Sequence, residues 1–233
     1  MTSDNTPGQE YLDGQILVFD KPYRWTSFFL VKKVRGALSR RYGLKKLKVG
    51  HAGTLDPLAT GLMIIATGKA TKRIDELQAG EKEYFATVRL GATTPGFDLE
   101  KEIDAVFPFE HISSEMISSA LKNLTGEIDQ TPPVYSAKKF EGERAYDKAR
   151  RGEYQELEPK RVQIMEIEFL GYLPPDVRLR IVCSRGTYIR AIARDLGLML
   201  GSGAHLTELR RSRSGEFTLD NALIFEDFQK KLF

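Results

Sequence analysis

Residues 48–73 read KVGHAGTLDPLATGLMIIATGKATKR, a glycine-rich stretch with a single acid that leads into an apolar segment. The apolar part, GLMIIATG, predicts a short buried strand. Asp56 lies just before this strand, in a loop whose glycines permit tight turns and the close approach of a ligand. A carboxylate on a rigid turn beside the end of a buried strand is well placed for catalysis.

Asp56 also has a purely structural interpretation. It precedes Pro57, and this pair fits the start of a helix, with aspartate as N-cap and proline at the first helical position. What favours chemistry is its setting: His51 lies five residues earlier, glycines flank the loop, and apolar neighbours would exclude water and strengthen the field of the carboxylate. We therefore interpret Asp56 as a catalytic carboxylate.

Outward from this stretch, strand and helix patterns interleave. The segment TSFFLVKKVRGALSRRYG predicts a helix that Thr26 or Ser27 caps and Gly43 ends. Its apolar stripe is predicted to comprise Phe28, Val31, Val34 and Leu38. The segment EKEYFATVRLG alternates like a strand, KRVQIMEIEFLGYL and VRLRIVCSRG predict an antiparallel pair, and AHLTELRRSRSGEFTL predicts two short strands around SRSG. Several of these adjacent strands are joined by links of hairpin length. Such links favour an α+β fold with a mixed, mostly antiparallel sheet flanked by helices.

No linker-like stretch divides the 233 residues, so we expect a single domain over residues 1–233. Residues 100–160 are rich in helix and turn signals and are predicted to form an insertion lobe. Within them, TPPVYSAKKFEGERAYDKARRGE predicts an extended piece followed by a charged helix.

The charge distribution says more than the net charge of +3. Residues 21–50 contain ten basic residues and no acid. Such a run is often a solvated helix face, but the absence of compensating acids favours a polyanionic partner. We expect the basic side chains of residues 21–48, 138–151 and 210–213 to lie along the phosphates of such a partner.

Several classes of protein are disfavoured. Cys183 is the only cysteine, which excludes an intrachain disulfide and favours the cytoplasm. The three histidines are scattered, which disfavours a zinc site. The N-terminal residues lack the features of a signal peptide, and no stretch approaches the roughly 18–20 apolar residues that span a bilayer.

Five stretches, in order, resemble the motifs of the TruB family, the bacterial tRNA pseudouridine-55 synthases. LVFDKPYRWTS resembles the first motif, GHAGTLDPLATGLMIIATGKATK the second, and KEYFATVRLG the tyrosine-bearing strand. CSRGTYIRAIARDLG resembles the third motif and AHLTELRRSRSGEF the closing leucine-and-arginine segment. The resemblance implies a pseudouridine synthase-like fold and an isomerase that converts uridine 55 of the tRNA T-loop.

The resemblance implies catalytic roles for Asp56, Arg190 and Tyr84. Asp56 would be the essential carboxylate, Arg190 would pair with it and keep it ionised and oriented, and Tyr84 would lie against the target uracil. The carboxylate could attack C1′ or C6 or stabilise an electron-poor sugar, and the sequence leaves these open. Without the resemblance, Tyr84 would be a core residue and Arg190 would share a solvated face with Arg194.

It also implies contacts around the flipped base. Tyr188 and Leu209 would line its pocket, His51 would fill the space it leaves, and Lys21 would support the pocket. Flipping costs a few kcal/mol, which stacking at roughly 1–3 kcal/mol per base partly offsets. Because nothing is oxidised and no water is consumed, we expect no cofactor and no metal. The expected partner is tRNA, bound by a monomer without an obligatory protein partner.

The chain departs from the family pattern in three ways. Arg24 stands where the first motif usually has glycine, so we expect this loop not to adopt a glycine-only conformation. Pro95 and Gly96 follow the tyrosine strand, where acids and threonines are usual, although Asp98 is retained; we expect altered contacts in the loop but not at the active site. We also expect no C-terminal PUA-type RNA-binding domain.

Three alternatives stay open. The motifs also fit guide-RNA pseudouridine synthases, which are usually longer and depend on partner proteins. A nucleosidase or glycosylase would cut the same bond, but hydrolysis usually needs a second group that activates water. A non-catalytic RNA chaperone would use the same basic surface and would be insensitive to Asp56→Asn.

Overall fold

The computed structural model describes residues 6–133 and 158–233, and between them the backbone of residues 139–140 and 143–144. The described helices are α1 (Gln9–Asp13), α2 (Ser27–Tyr42), α3 (Ile74–Ala79), α4 (Ser114–Asn123), α5 (Ile189–Met199) and α6 (Phe225–Leu232), with a 3₁₀ helix over Gly68–Arg73. The described strands are β1 (Ile16–Lys21), β2 (Val49–Ala52), β3 (Thr60–Thr67), β4 (Lys82–Leu90), β5 (Ala92–Thr93), β6 (Ala105–Val106), β7 (Gly126–Gln130), β8 (Lys139–Phe140), β9 (Glu143–Arg144), β10 (Lys160–Leu173), β11 (Asp176–Cys183), β12 (Ala204–Ser214) and β13 (Phe217–Thr218).

The predicted fold class is confirmed: the fold is α+β, with mixed, mostly antiparallel strand pairing flanked by helices. Strand β3 pairs antiparallel with β1 and β2, and β10 pairs antiparallel with β7 and β11, whereas β12 runs parallel to β3. The chain packs as two compact units. One comprises the chain up to Lys82 together with Arg210–Phe233, and the other comprises Glu83–Leu209.

Strand β3 is the centre of the first unit, as its apolar sequence predicts. Met63 and Ile65 pack into one hydrophobic cluster, with Phe19 and the buried side of α2. Leu62 and Ile64 point the other way, into a second cluster. Because both faces are covered, the strand needs an almost continuous apolar run, and this buries the end of the strand next to Asp56.

Helix α2 begins and ends where predicted. The Oγ1 of Thr26 accepts a hydrogen bond from the Phe29 N–H at 3.0 Å, and Gly43 ends the helix in a left-handed conformation, φ 69°. One stripe residue was predicted wrongly, because Phe28 is exposed. The buried face is centred near Val34, and at 3.6 residues per turn Phe28, six positions earlier, lies roughly 120° away from it.

The second unit carries the predicted alternating strand and hairpin. Along β4, Tyr84, Ala86, Val88 and Leu90 are buried. The β10–β11 hairpin turns at Pro174-Pro175, with Leu173 opposite Asp176. Strand β12 is eleven residues long, which is longer than predicted, and turns into β13. Within the described residues, no helix is both long and apolar enough to cross a membrane.

Part of the predicted insertion lobe is described, namely β6, α4 and β7. Beyond residue 133, the extended piece, the charged helix and the basic residues 138–151 lie outside the described residues, except for the short β8–β9 backbone pair.

Candidate active site

Asp56 lies in the tight connection between β2 and β3. Its carbonyl accepts a hydrogen bond from the Ala59 N–H at 3.1 Å, so Pro57 and Leu58 form a turn. The turn leads directly into β3, not into a helix, so the alternative of Asp56 as a helix N-cap is wrong. The residue is half-buried between the buried Leu55 and Ala59.

The residue before Asp56 is clamped by a buried serine. The hydroxyl of Ser27 donates to the Leu55 carbonyl and accepts from the Leu55 N–H, each at 2.8 Å. Because Thr26 already caps α2, Ser27 is available for this loop. Both polar groups of Leu55 are thereby satisfied in a buried position, as buried backbone groups must be.

The residue after Asp56 is held by a buried lysine. Lys21, at the end of β1, donates from Nζ to the carbonyls of Pro22 (3.1 Å), Trp25 (2.6 Å) and Pro57 (3.3 Å). Burial lowers the pKa of Lys21 to about 8, and the negative charge of Asp56 opposes that shift. Because Lys21 is fully buried, the expectation that it contacts phosphate is wrong. Its predicted support of the pocket stays a prediction.

A buried arginine braces the same turn from β12. Arg211 donates from Nε to the Leu62 carbonyl at 2.8 Å and from a terminal nitrogen to the Gly53 carbonyl at 3.1 Å. Gly61 has φ 100°, and a Cβ there would lie 2.2 Å from the Arg211 carbonyl oxygen. Gly61 must therefore be glycine because the β12 backbone packs against it. We had expected the glycines of this loop to make room for a ligand.

Residues 210–213 do not form the phosphate track that we expected. Arg211 is buried. Arg210 donates to both carboxylate oxygens of Asp20, at 3.1 and 2.6 Å, and Arg213 lies 3.5 Å from the Glu81 carboxylate. Arg210 and Arg213 lie against acids of their own unit, and Arg211 donates to backbone carbonyls.

The loop of the first motif contradicts another expectation. Arg24 has φ 66°, so a non-glycine residue occupies the left-handed conformation where the motif usually has glycine. For an ordinary side chain this conformation costs roughly 1–2 kcal/mol. The turn still closes, with the Trp25 N–H 3.4 Å from the Pro22 carbonyl, and it presents the Trp25 carbonyl to Lys21.

In the second unit, Arg190 projects from the first turn of α5 and is buried. It donates to the Gly96 carbonyl at 3.1 Å, and its Nε lies 3.6 Å from the Asp98 carboxylate. We expected Pro95 and Gly96 to alter contacts only away from the active site. Gly96 contributes only a backbone carbonyl to Arg190, which a residue of any type would offer, so this expectation stays a prediction.

The 94–98 loop is itself tightly built. The Thr94 hydroxyl donates to the Asp98 carbonyl at 2.6 Å, and the Phe97 N–H donates to the Thr94 carbonyl at 3.0 Å. Phe97 adopts φ 56°, a left-handed conformation. Sequence reasoning noted Asp98 without giving it a role. The one feature of the sequence that pointed to Asp98 was that this acid is retained in a loop that otherwise departs from the family pattern.

A glutamine that sequence reasoning missed holds the start of α5. The Tyr188 N–H donates to the Gln130 side-chain oxygen at 2.8 Å, and the Gln130 amide donates to the Tyr188 carbonyl at 3.1 Å. Gln130 is buried at the end of β7. These two hydrogen bonds fix Tyr188, which lies two positions before Arg190. Nothing in the sequence around Gln130 indicates this contact.

The remaining candidates lie on regular strands. His51 is half-buried on β2 opposite Ile65, Tyr84 is buried on β4, and Leu209 is half-buried on β12. Within the first unit, the structure brings Lys21 to the Asp56 turn. Tyr84, Tyr188, Arg190 and Leu209 belong to the second unit. The pairing of Arg190 with Asp56 stays a prediction.

Comparisons with known proteins agree across the chain. Residues 40–189 match the family described as TruB family pseudouridylate synthase (N terminal domain), and residues 190–233 match the tRNA pseudouridylate synthase B C-terminal domain. The tRNA pseudouridine synthase B of Phocaeicola vulgatus is 58% identical over 95% of this chain and 94% of its own. That of Parabacteroides distasonis is 59% identical over 94% of this chain and 93% of its own.

A solved structure is similar as well. A chain in the crystal structure of a Cbf5-Nop10-Gar1 complex superposes with a TM-score of 0.72 at 30% identity, over 95% of this chain. The present chain spans 55% of the length of that solved chain. The similarity therefore supports the fold over nearly the whole of the present chain.

Proposed function

Because this chain belongs to the TruB family of pseudouridylate synthases, which are isomerases, we propose that it converts uridine 55 in the T-loop of tRNA to pseudouridine. The reaction breaks the C1′–N1 bond of the nucleoside and joins C5 to C1′. The C5 proton leaves and N1 gains one, so the product has the composition of the substrate. We further propose that the chain acts in the cytoplasm as a monomer, without an obligatory protein partner.

The observation that carries this proposal is the anchoring of the Asp56 turn. Ser27 binds Leu55, Lys21 binds Pro57, and Arg211 binds Gly53 and Leu62. These anchors come from the stretches that resemble the first and closing motifs. A carboxylate on a turn held from both sides loses little freedom when it engages substrate, which is what preorganised catalysis requires.

In this proposal the Asp56 carboxylate reacts with the flipped nucleotide. It attacks C1′ or C6, or stabilises the electron-poor sugar, as the glycosidic bond breaks. The half-buried position favours this, because a carboxylate in partly apolar surroundings acts with a stronger field than one in water. The base must first leave its stack, so recognition includes base flipping.

We assign Arg190 the role of keeping Asp56 ionised and oriented. Its guanidinium is buried and held by the Gly96 carbonyl and the Asp98 carboxylate, so its direction is set before substrate arrives. We assign Tyr84, Tyr188 and Leu209 to the uracil pocket, and His51 to the space that the base leaves.

The decisive experiment is base-resolved pseudouridine mapping on an unmodified tRNA transcript, with no cofactor or metal added. We expect the wild type to convert the T-loop uridine and Asp56→Asn to bind the same tRNA without converting it. Asp13→Asn is the matched control, because it removes an exposed carboxylate paired with Lys69 in the same unit. It should retain full conversion.

The same reaction separates the alternatives. Free uracil in solution would indicate a glycosylase. Conversion by neither protein would contradict a stand-alone enzyme and would point to guide-RNA partners or a binding role. Equal conversion by wild type and Asp56→Asn would mean that the carboxylate is assigned wrongly.

A further inference from the structure

The N-terminal end of α2 carries an exposed surface that the target-uridine site does not use. We call it the aromatic–basic face, and it consists of Tyr23, Arg24, Phe28, Phe29, Lys32 and Lys33, all of them exposed. The exposed fractions of its rings are 67% for Phe28, 48% for Tyr23 and 39% for Phe29. A single exposed aromatic residue needs no explanation, but three within seven residues form a patch.

Cations lie beside these rings. The Lys33 ammonium is 5.4 Å from the Phe29 ring centroid, and the Arg24 guanidinium is 5.6 Å from the Tyr23 ring. Lys33 also lies 5.9 Å from the rings of Trp25 and Phe225, which belong to the packed aromatic cluster beneath. Flat apolar surfaces and positive charge are therefore held side by side.

The position of Phe28 is not explained by folding. The core side of α2 is filled by other residues, and Phe28 points away from them. A polar residue would serve the helix equally well, because exposed apolar area contributes nothing to the core. The charged residues of this face have one sign, and residues 21–50, which contain the face, include no acid. A second copy of this face would bring like charges together, whereas a polyanion with flat apolar groups would complement it.

We propose that the aromatic–basic face binds unstacked nucleobases and phosphates of RNA outside the target-uridine site. Phe28 and Tyr23 offer ring faces to bases, and Arg24, Lys32 and Lys33 neutralise the backbone. Aromatic stacking combined with cations is how proteins hold single-stranded RNA without reading its sequence. This second RNA site rests on the proposed function, because it extends the contact between this chain and a tRNA.

The test measures binding of a fluorescein-labelled deca-adenylate by anisotropy. This probe contains no uracil, so it does not report on the target-uridine pocket. We expect Phe28→Ala to weaken binding about 5- to 150-fold, the range for loss of one stacked base. Phe28→Leu should lose most of the same affinity, since leucine lacks a ring, and Phe28→Tyr should retain it. Phe233→Ala is the matched control: the same residue type, 70% exposed, and not one of the six residues of this face.

The charged part is tested by salt dependence. For single strands each neutralised phosphate contributes about 0.7 to the slope of log affinity against log salt. We expect Lys32→Gln to reduce the slope by that amount. Unchanged affinity in Phe28→Ala would overturn the proposal. So would a concentration-dependent dimer of the wild type that Phe28→Ala abolishes, because it would assign the face to a second copy of the chain.

The pseudouridine-mapping assay separates the two proposals. If the wild type converts tRNA but Phe28→Ala binds deca-adenylate as the wild type does, this second site is wrong and the proposed function stands. If the wild type converts no tRNA and Phe28→Ala still loses deca-adenylate affinity, the face binds RNA and the proposed function has failed.

Discussion

Ser27 and Leu55, 28 positions apart, exchange two hydrogen bonds of 2.8 Å each, so one buried hydroxyl satisfies both backbone groups of the residue before Asp56. The first motif thereby determines the shape of the second. Sequence reasoning gave Ser27 only a possible place in a helix cap. Its contact with the candidate catalytic turn makes it a positioning residue for Asp56.

Ser27→Ala should therefore impair both folding and turnover. Two buried backbone groups lose their partner, which costs about 1–3 kcal/mol of unfolding free energy per unsatisfied group. Because the turn loosens, we expect kcat on tRNA to fall more than KM rises. Urea unfolding and steady-state kinetics measure the two effects.

Thr26→Ala is the control for this prediction. It removes the helix cap, at about 1 kcal/mol, but no contact with the turn. Equal kcat values for the two variants, at temperatures where both are folded, would mean that Ser27 acts only through stability.

Asp98→Asn tests the support of Arg190. The change removes one carboxylate that lies beside a buried guanidinium, and breaking a buried ion pair from one side costs about 3–5 kcal/mol. We expect lower stability and a large loss of kcat, with affinity for tRNA nearly retained.

Asp104→Asn provides the comparison, because Asp104 accepts an exposed hydrogen bond from Thr93. If thermal unfolding of Asp98→Asn coincides with that of the wild type, the Arg190–Asp98 pair does not support the fold.

Gly61→Ala should be among the most damaging single-atom changes in the first unit. The glycine has φ 100°, and the added Cβ would fall 2.2 Å from the Arg211 carbonyl oxygen, so β12 must move away from the Asp56 turn. We expect a loss of several kcal/mol, because backbone strain and steric overlap add.

Gly43→Ala is the matched variant. It has φ 69° but nothing within 4 Å of its Cβ, so only the backbone strain of roughly 1 kcal/mol applies. Urea denaturation of both proteins tests the difference. Similar losses would mean that the β3–β12 approach adapts to a side chain.

Lys21 makes stability depend on pH in a defined direction. Its folded pKa of about 8 lies below its ordinary value of 10.5, because burial disfavours the charged form. Between these values the unfolded chain binds more protons than the folded chain. Stability from this group therefore rises with pH from about 8 to 10.5, at up to about 1.4 kcal/mol per pH unit.

Lys21→Met isolates this effect. The variant is expected to be less stable at every pH because three carbonyls lose a donor. The free energy of unfolding of the wild type minus that of the variant should nevertheless grow between pH 8 and 10. Urea unfolding at pH 7.5, 8.5 and 9.5 gives this difference, and parallel profiles would contradict the assignment.

The local elements were predictable from the sequence because their signals are local. The cap at Thr26 and the stop at Gly43 bound α2 where expected, and the alternation along β4 placed Tyr84 inside. The apolar run of β3 and the motif around Asp56 also belong to neighbouring residues. Periodicity and capping act over a few positions, so a linear pattern contains them.

The contacts that hold the candidate site depend on tertiary structure. Arg211 reaches Gly53 across 158 positions, Arg190 reaches Gly96 across 94, and Gln130 reaches Tyr188 across 58. From its own segment of sequence alone, each of these three side chains would be assigned to the surface or to a strand. Strand pairing and helix packing decide whether an arginine is a solvated charge or a buried brace, because burial obliges it to find carbonyl and carboxylate partners. The sequence by itself therefore determined the elements and the position of the candidate carboxylate, whereas only the tertiary structure decided which side chains hold it in place.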